Sequence, residues 1–443
     1  MIKPLLVAIC FGSLPVTSSL ARGQAAPGPD SLATAARNLY RQAVRTAEGG
    51  NLAEARELAI QAHRSWPAQI AYLSATLRLS ARLGDTVGVA HWLGAIADLG
   101  LSIPIESVPE LAAFATAPPL GPALDRIREN GRALGNSTAI RTDLVADFYP
   151  EGVDYDPKGR RWIVASIRHR TLAAVDARGA STPFVTKGGR ALDAVLGVRV
   201  DAARNLVWAT TRTLPQQQGA IAGAAATAGL AVFDRATGRE LAFTVVPNDG
   251  ADHLFGDLVI DGAGAAYLSD SESPVVYRAK YVAGRITVEE FARHRYFRSL
   301  QGLAIDPDNR RLYLADYSHG LLVVDLADRS VRYLPSPPGT TTLGLDGLAW
   351  YRGGLVGVQN GVAPARIVRI ALSSDGEAIT AVTVLDRHAS IADEPTIGSI
   401  VGDRFVYVAN SQWEKYDDAG KLRAGAVLTA PILLSLPLES ARP

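Results

Sequence analysis

The sequence predicts a mainly β protein, a six-bladed β-propeller preceded by a small α-helical domain. Three observations carry this: a pattern repeated six times, strand pairs within each repeat, and helical spacing before the first. The repeats open at Glu151, Leu196, Gly256, Gln301, Asp346 and Ile397, so successive starts are 45, 60, 45, 45 and 51 residues apart. Each unit holds an apolar run, a turn of Asp, Asn or Gly, a second apolar run and a small polar ending. A fixed period of this size with paired strands is how a propeller of four-stranded blades reads in sequence.

Within the unit from Gln301, Leu303-Ala304-Ile305 forms the first strand and Asp306-Pro307-Asp308-Asn309 reverses the chain. Arg311 to Ala315 is the second strand, Gly320 to Asp325 the third, and a fourth lies near Val331. The long second gap accommodates an insertion from Leu214 to Gly229. Ring closure is expected to pair Leu144-Val145-Ala146 with the run Val427 to Leu436, which would remove the open sheet edges. Because first strands line the channel of a propeller, Glu151, Gln301 and Asp346 are expected to face one funnel.

Between Ser31 and about Thr138 the apolar spacing is helical, with breaks at Gly49-Gly50-Asn51 and Leu83-Gly84-Asp85. Gly50, Ala55, Ala59, Ala62 and Pro67 have the offsets of the tetratricopeptide pattern, and Gly84 follows Gly50 by 34 residues. The segment resembles about two such repeats. It can serve as a groove for a protein partner or as a structural cap. The domains so divide into residues 1–25, 26–138 and 139–443.

Residues 1–25 read as a signal peptide, with Lys3 before the apolar run Leu5 to Phe11 and small residues after it. That run is too short to span a bilayer. Cys10, the only cysteine, lies inside it, so a thiol nucleophile or thiolate metal site is excluded from the mature chain. Export to a bacterial periplasm or beyond is expected, with no membrane insertion after cleavage. A net charge of +1 over 443 residues, without runs of one sign, argues against nucleic-acid binding.

At Pro150-Glu151-Gly152, Gly256-Asp257, Tyr267-Leu268-Ser269-Asp270-Ser271, Gln301-Gly302-Leu303 and Asp346-Gly347-Leu348 the chain resembles the gluconolactonase/regucalcin family of six-bladed propellers. The resemblance covers roughly Asp143 to Leu436. It implies hydrolysis of a small lactone or ester with a divalent cation, calcium first among the choices, in the channel. It implies Glu151, Gln301 and Asp346 as metal ligands; Gln301 stands where the family has Asn. A substrate-contacting Asn of the family is replaced by Gly256, leaving Asp257 as the nearest polar group.

Hard oxygen donors of this kind suit calcium or magnesium. Asp257 and Asp346 are therefore the candidate catalytic carboxylates. His253 and Glu394 are candidates for contacting substrate at the channel mouth. Asp270, Asp316 and Asn410, after second strands, are expected to bond turn backbones, and His319 to be solvated. The alternative is a non-catalytic scaffold, since both modules also occur as interaction folds.

Overall fold

The computed structural model describes residues 29–185, 192–221, 223, 225–246, 250–387 and 393–439. The expected signal peptide lies outside the described residues.

Six four-stranded antiparallel sheets form the ring. Blade one comprises Pro150–Asp156, Arg161–Ser166, Thr171–Val175 and Ser181–Pro183; blade two Ala194–Asp201, Leu206–Arg212, Ala228–Asp234 and Glu240–Val245. Blade three comprises Phe255–Ile260, Ala266–Asp270, Val275–Val282 and Arg285–Arg293; blade four Leu300–Ile305, Arg311–Asp316, Gly320–Asp325 and Val331–Tyr333. Blade five comprises Leu345–Tyr351, Gly354–Gln359, Arg366–Leu372 and Ile379–Asp386. Blade six takes Gly398–Val401, Arg404–Val408 and Ile432–Pro437 from the C-terminal part and adds Thr138–Arg141 at its outer edge.

The closing strand therefore differs from the expected Leu144-Val145-Ala146. Thr138 pairs with Ser435 and Arg141 with Ile432, while Leu144 and Phe148 pack in the core between blades six and one. The chain must already turn inward there to begin the first strand of blade one. Val427 is 72 % exposed and precedes the pairing.

Apolar faces of adjacent blades meet in six clusters. Between blades two and three, for example, the wholly buried Trp208 packs with Leu230, Val232, Phe255, Leu258 and Leu268. Burying each such side chain stabilises the ring by about 1.5–3 kcal/mol. Nearer the axis, packing depends on glycine. In blades one to five the first strand carries a register shift at its start. In four of them the second residue of the bulge is Gly152, Gly197, Gly302 or Gly347.

A Cβ on Gly152 would sit 2.3 Å from the Leu196 carbonyl, and one on Gly302 2.3 Å from that of Asp346. Backbone cannot yield as a side-chain tip can, so Gly302→Ala is expected to cost about 3 kcal/mol. A urea midpoint unchanged from wild type would count against this account of the ring's packing.

Before the ring come helices Pro29–Glu48, Leu52–Ser65, Ile70–Arg82, Thr86–Asp98 and Gly121–Asn130, with a short turn of helix at Pro109–Ala112. Gly50 and Gly84, at φ +85° and +70°, end the first and third. Asn51 and Asp85 then cap the next helices, accepting from Glu54 N and Gly88 N. Ala55, Ala59 and Ala62 are buried, as their spacing predicts.

This helical region docks on blades four and five. Arg366, 3 % exposed, donates to the carbonyls of Leu99 and Gly100, both at 3.0 Å. Thr341 Oγ1 donates to Ala68 O at 3.1 Å, and Gln69 Nε2 to Ser318 O at 3.2 Å. His319, expected in solvent, is instead buried against the Trp66 ring, centroids 5.4 Å apart, because the helices cover its turn. Ser318 and His319 follow a second strand and Thr341 precedes a first strand. The helices therefore stand on the face where the first strands begin.

Candidate functional site

The bulges decide what reaches the channel mouth. The residue before each bulge glycine is Glu151 in blade one, Leu196 in two, Gln301 in four and Asp346 in five; Ile397 precedes Gly398 in blade six. Blade three reverses the order, Gly256 then Asp257. Around the mouth the order is therefore Glu151, Leu196, Gly256, Gln301, Asp346 and Ile397, so Leu196 and Ile397 flank Glu151 on either side and Ile397 stands between it and Asp346.

Glu151 and Asp346 are brought together. Burial raises the Glu151 carboxyl well above its ordinary value, and the charges of Asp346, Glu394 and Asp257 push it further. Against this, Trp413 Nε1 donates to Glu151 Oε2 at 2.8 Å. Asp346 is pushed up to about 7 by burial and by Asp257, opposed by the bond it accepts from Asn360 Nδ2 at 2.6 Å. Glu394, on the approach to blade six, is likewise raised to about 7, chiefly by burial; it accepts from Glu414 N at 3.3 Å. Three acids thus share one pocket, Glu151 buried and Asp346 and Glu394 half-buried, and partial desolvation together with like charge favours their protonated forms.

Gln301 is held differently. Its Nε2 donates to Ser299 Oγ at 3.2 Å, and its Oε1 lies 3.4 Å from where a Cβ on Gly256 would stand. The longer amide arm thus leans over the space that the glycine leaves. The two departures from the family pattern are spatial neighbours.

Asp257 occupies the bulge position that is glycine in four other blades, and so it points between blades rather than at the mouth. Its Oδ2 pairs with Arg199 Nη2 at 2.9 Å and its Oδ1 accepts from Leu258 N at 2.8 Å, at 1 % exposure. Burial raises it to about 6 despite Arg199. The expected catalytic base is therefore an anchored, water-excluded carboxylate. The expected substrate contact His253 also turns elsewhere. Its Nδ1 lies 2.7 Å from Asp270 Oδ2, and its ring packs edge-on to Tyr277 inside blade three. Asp316, as expected, caps a turn, taking bonds from Arg298 N and Ser299 N.

Four contributors were not foreseen from the sequence: Asn360, Trp413, Tyr149 and Tyr317. Asn360 bridges Asp346 to the Pro395 carbonyl through Nδ2, while its Oδ1 is buried without a hydrogen-bond partner. Asn360 and Tyr317 each stand just past a second strand, one residue after the turn-capping position, and that offset is a signal the repeats did contain. Burial, with the charges of Asp346 and Glu394, raises the Tyr317 phenol. Burial raises Tyr149 too, with Glu151 and Glu394 beside it.

Trp413 has no such signal, because it lies in the irregular stretch 409–431 between two strands of blade six. That stretch meets the blade-two insertion across blade one. Gln216 Nε2 donates to Asp417 O at 3.4 Å, and Tyr416 stacks on Tyr149 at 4.9 Å. Trp413→Phe keeps the ring against Tyr149, 5.2 Å away, but removes the N–H from Glu151. It is expected to cost about 1 kcal/mol in a urea titration, the net loss of one hydrogen bond; no loss would show that the indole bond is dispensable.

Among the described residues no group of three or more His, Cys, Asp and Glu side chains is placed to hold a metal ion. A cation here would rely on two carboxylates, Glu151 and Asp346, completed by amide oxygens. The unpartnered Asn360 Oδ1 beside Asp346 fits such a hard-oxygen set.

No protein-family model matches the sequence, and no curated protein does. Among solved structures the chain is similar to a gluconolactonase from Xanthomonas campestris, at 15 % identity over 69 % of this chain and 91 % of that one, TM-score 0.45. It is similar to a glucose dehydrogenase-type oxidoreductase from Thermus thermophilus, at 13 % identity over 68 % and 100 %, TM-score 0.45. It is also similar to virginiamycin B lyase from Staphylococcus aureus, at 12 % identity over 61 % and 81 %, TM-score 0.41. Likenesses this remote do not bear on the chemistry of the site.

Proposed function

We propose that this propeller is an exported, lactonase-like hydrolase that opens a small lactone or ester with the help of a divalent cation, calcium by preference, at the channel mouth. The observation that carries the reading is the meeting of Glu151 and Asp346, two acids whose mutual repulsion a divalent cation would relieve. Their residue-by-residue match to the gluconolactonase/regucalcin pattern supports it.

Glu151 and Asp346 would hold the ion, with amide oxygen from Gln301 and Asn360. When bound, such an ion polarises a carbonyl and lowers the pKa of an attacking water. Trp413 steadies Glu151, and Asn360 steadies Asp346. Glu394, raised to about 7 in the same pocket, is suited to take the proton of the water as it adds to the carbonyl. Asp257 acts through Arg199 as a positioning residue at the floor of the pocket.

The test is calorimetric titration with calcium, followed by a lactone and ester panel with and without chelator. Saturable heat and chelator-sensitive turnover are expected. Absence of both would leave the scaffold reading, in which the helical region binds a protein partner. Export is checked separately, by sequencing the N-terminus of protein recovered from the periplasm of an expressing bacterium; a mature chain beginning near residue 26 is expected.

A further inference from the structure

Three residues beyond each opening residue the first strands carry a second ring, about 10 Å further down the channel. Its members are Asp154, Arg199, Val259, Ala304, Ala349 and Ile400. Alanine in blades four and five leaves room, and a cavity of about 190 Å³ lies there, beyond the Asp257–Arg199 pair. A water takes about 30 Å³ of liquid, so the space exceeds what one or two bridging waters would fill.

The cavity is two-sided. Asp154, Arg199 and Ser399 line one wall, while Leu303, Ile305 and Trp350 are among the apolar residues lining the rest. Ser399, only 7 % exposed, places its hydroxyl beside Asp154 as a donor to that carboxylate, and its oxygen lone pairs remain able to accept. Arg199 is partly committed, Nη2 to Asp257 and Nη1 to the Val198 carbonyl, both at 2.9 Å. Asp154 accepts backbone bonds from Val200 N, at 2.7 Å, and from Tyr155 N, and its two oxygens keep further acceptor capacity. One guanidinium between two carboxylates leaves the wall short of positive charge.

We propose that the lower end of the channel is a second binding site, for small organic ammonium ions: the charged head bonds Asp154 and the Ser399 hydroxyl, and the alkyl body lies against Trp350 and its apolar neighbours. This site is independent of any cation at the upper mouth.

The experiment compares n-butylammonium, n-butanol and n-butyrate by calorimetry on the full chain. Saturable binding of the ammonium is expected, with the alcohol and the carboxylate weaker by about tenfold or more. Asp154→Asn keeps the backbone bond from Val200 and should weaken the ammonium about tenfold. Ala349→Leu fills the cavity and should abolish binding while circular dichroism stays that of wild type. Equal affinity for the three probes, an unaffected Asp154→Asn variant, an unaffected Ala349→Leu variant or no binding by wild type would each overturn the proposal.

Discussion

Replacing Asp346 with alanine is expected to remove calcium binding and, with it, lactone hydrolysis, lowering kcat/KM by about a thousandfold or more. The argument is electrostatic. Asp346 supplies one of two carboxylates meeting in a partly desolvated pocket, and it also raises Glu151. Truncation leaves a single acid, Glu151, which becomes easier to ionise but cannot alone satisfy a doubly charged ion. It also leaves Asn360 Nδ2 with only its bond to the Pro395 carbonyl, since the 2.6 Å bond to Asp346 is lost. Asp346→Asn separates these effects, since it keeps a side chain of the same shape and loses the charge. Both variants should show no calcium heat. Turnover equal to wild type in either would remove Asp346 from the reaction.

The second large effect is on stability. Asp346 and Glu394 are raised to about 7 and Asp257 to about 6, against ordinary carboxyl values near 4. The folded state therefore binds more protons than the unfolded chain between pH 4 and pH 7. Stability from these groups is complete below about pH 4 and is lost as pH rises through 6 and 7.

One pKa unit is worth about 1.4 kcal/mol, so the metal-free protein should lose about 4 kcal/mol between pH 5 and pH 8 once relaxation is discounted. Carboxylates with lowered values, such as Asp316 and Glu377, act in the opposite sense but titrate below this window. Calcium added at pH 8 should restore the loss, and Asp346→Asn should flatten the slope. A midpoint in urea that is level or rises from pH 5 to pH 8 would contradict this electrostatic account.

How much was legible in the sequence varied by element. The second and third strands repeat apolar side chains at regular spacing, and they lie within a few residues of where the pattern put them. The blade-two insertion was visible as a long gap. The closing strand was not, because Thr138–Arg141 is short, exposed and flanked by a more apolar decoy at Leu144. Glu151 and Asp346 were legible because both open repeats and both precede a bulge glycine. The pairing of Asp257 with Arg199 was not legible, because the order of glycine and carboxylate in blade three is inverted and moves the side chain by one position.

Period and polarity along the chain were enough to determine the propeller, its helical forerunner and the residues that open each blade, since these follow from local patterns of burial. Which side chains meet was decided only by the closed ring. Arg199 captures Asp257, Trp413 reaches Glu151 across 262 positions of chain, and Asn360 secures Asp346. Contacts of that kind depend on where blades and insertions come to rest, and their energies arise from burial that no single segment possesses by itself.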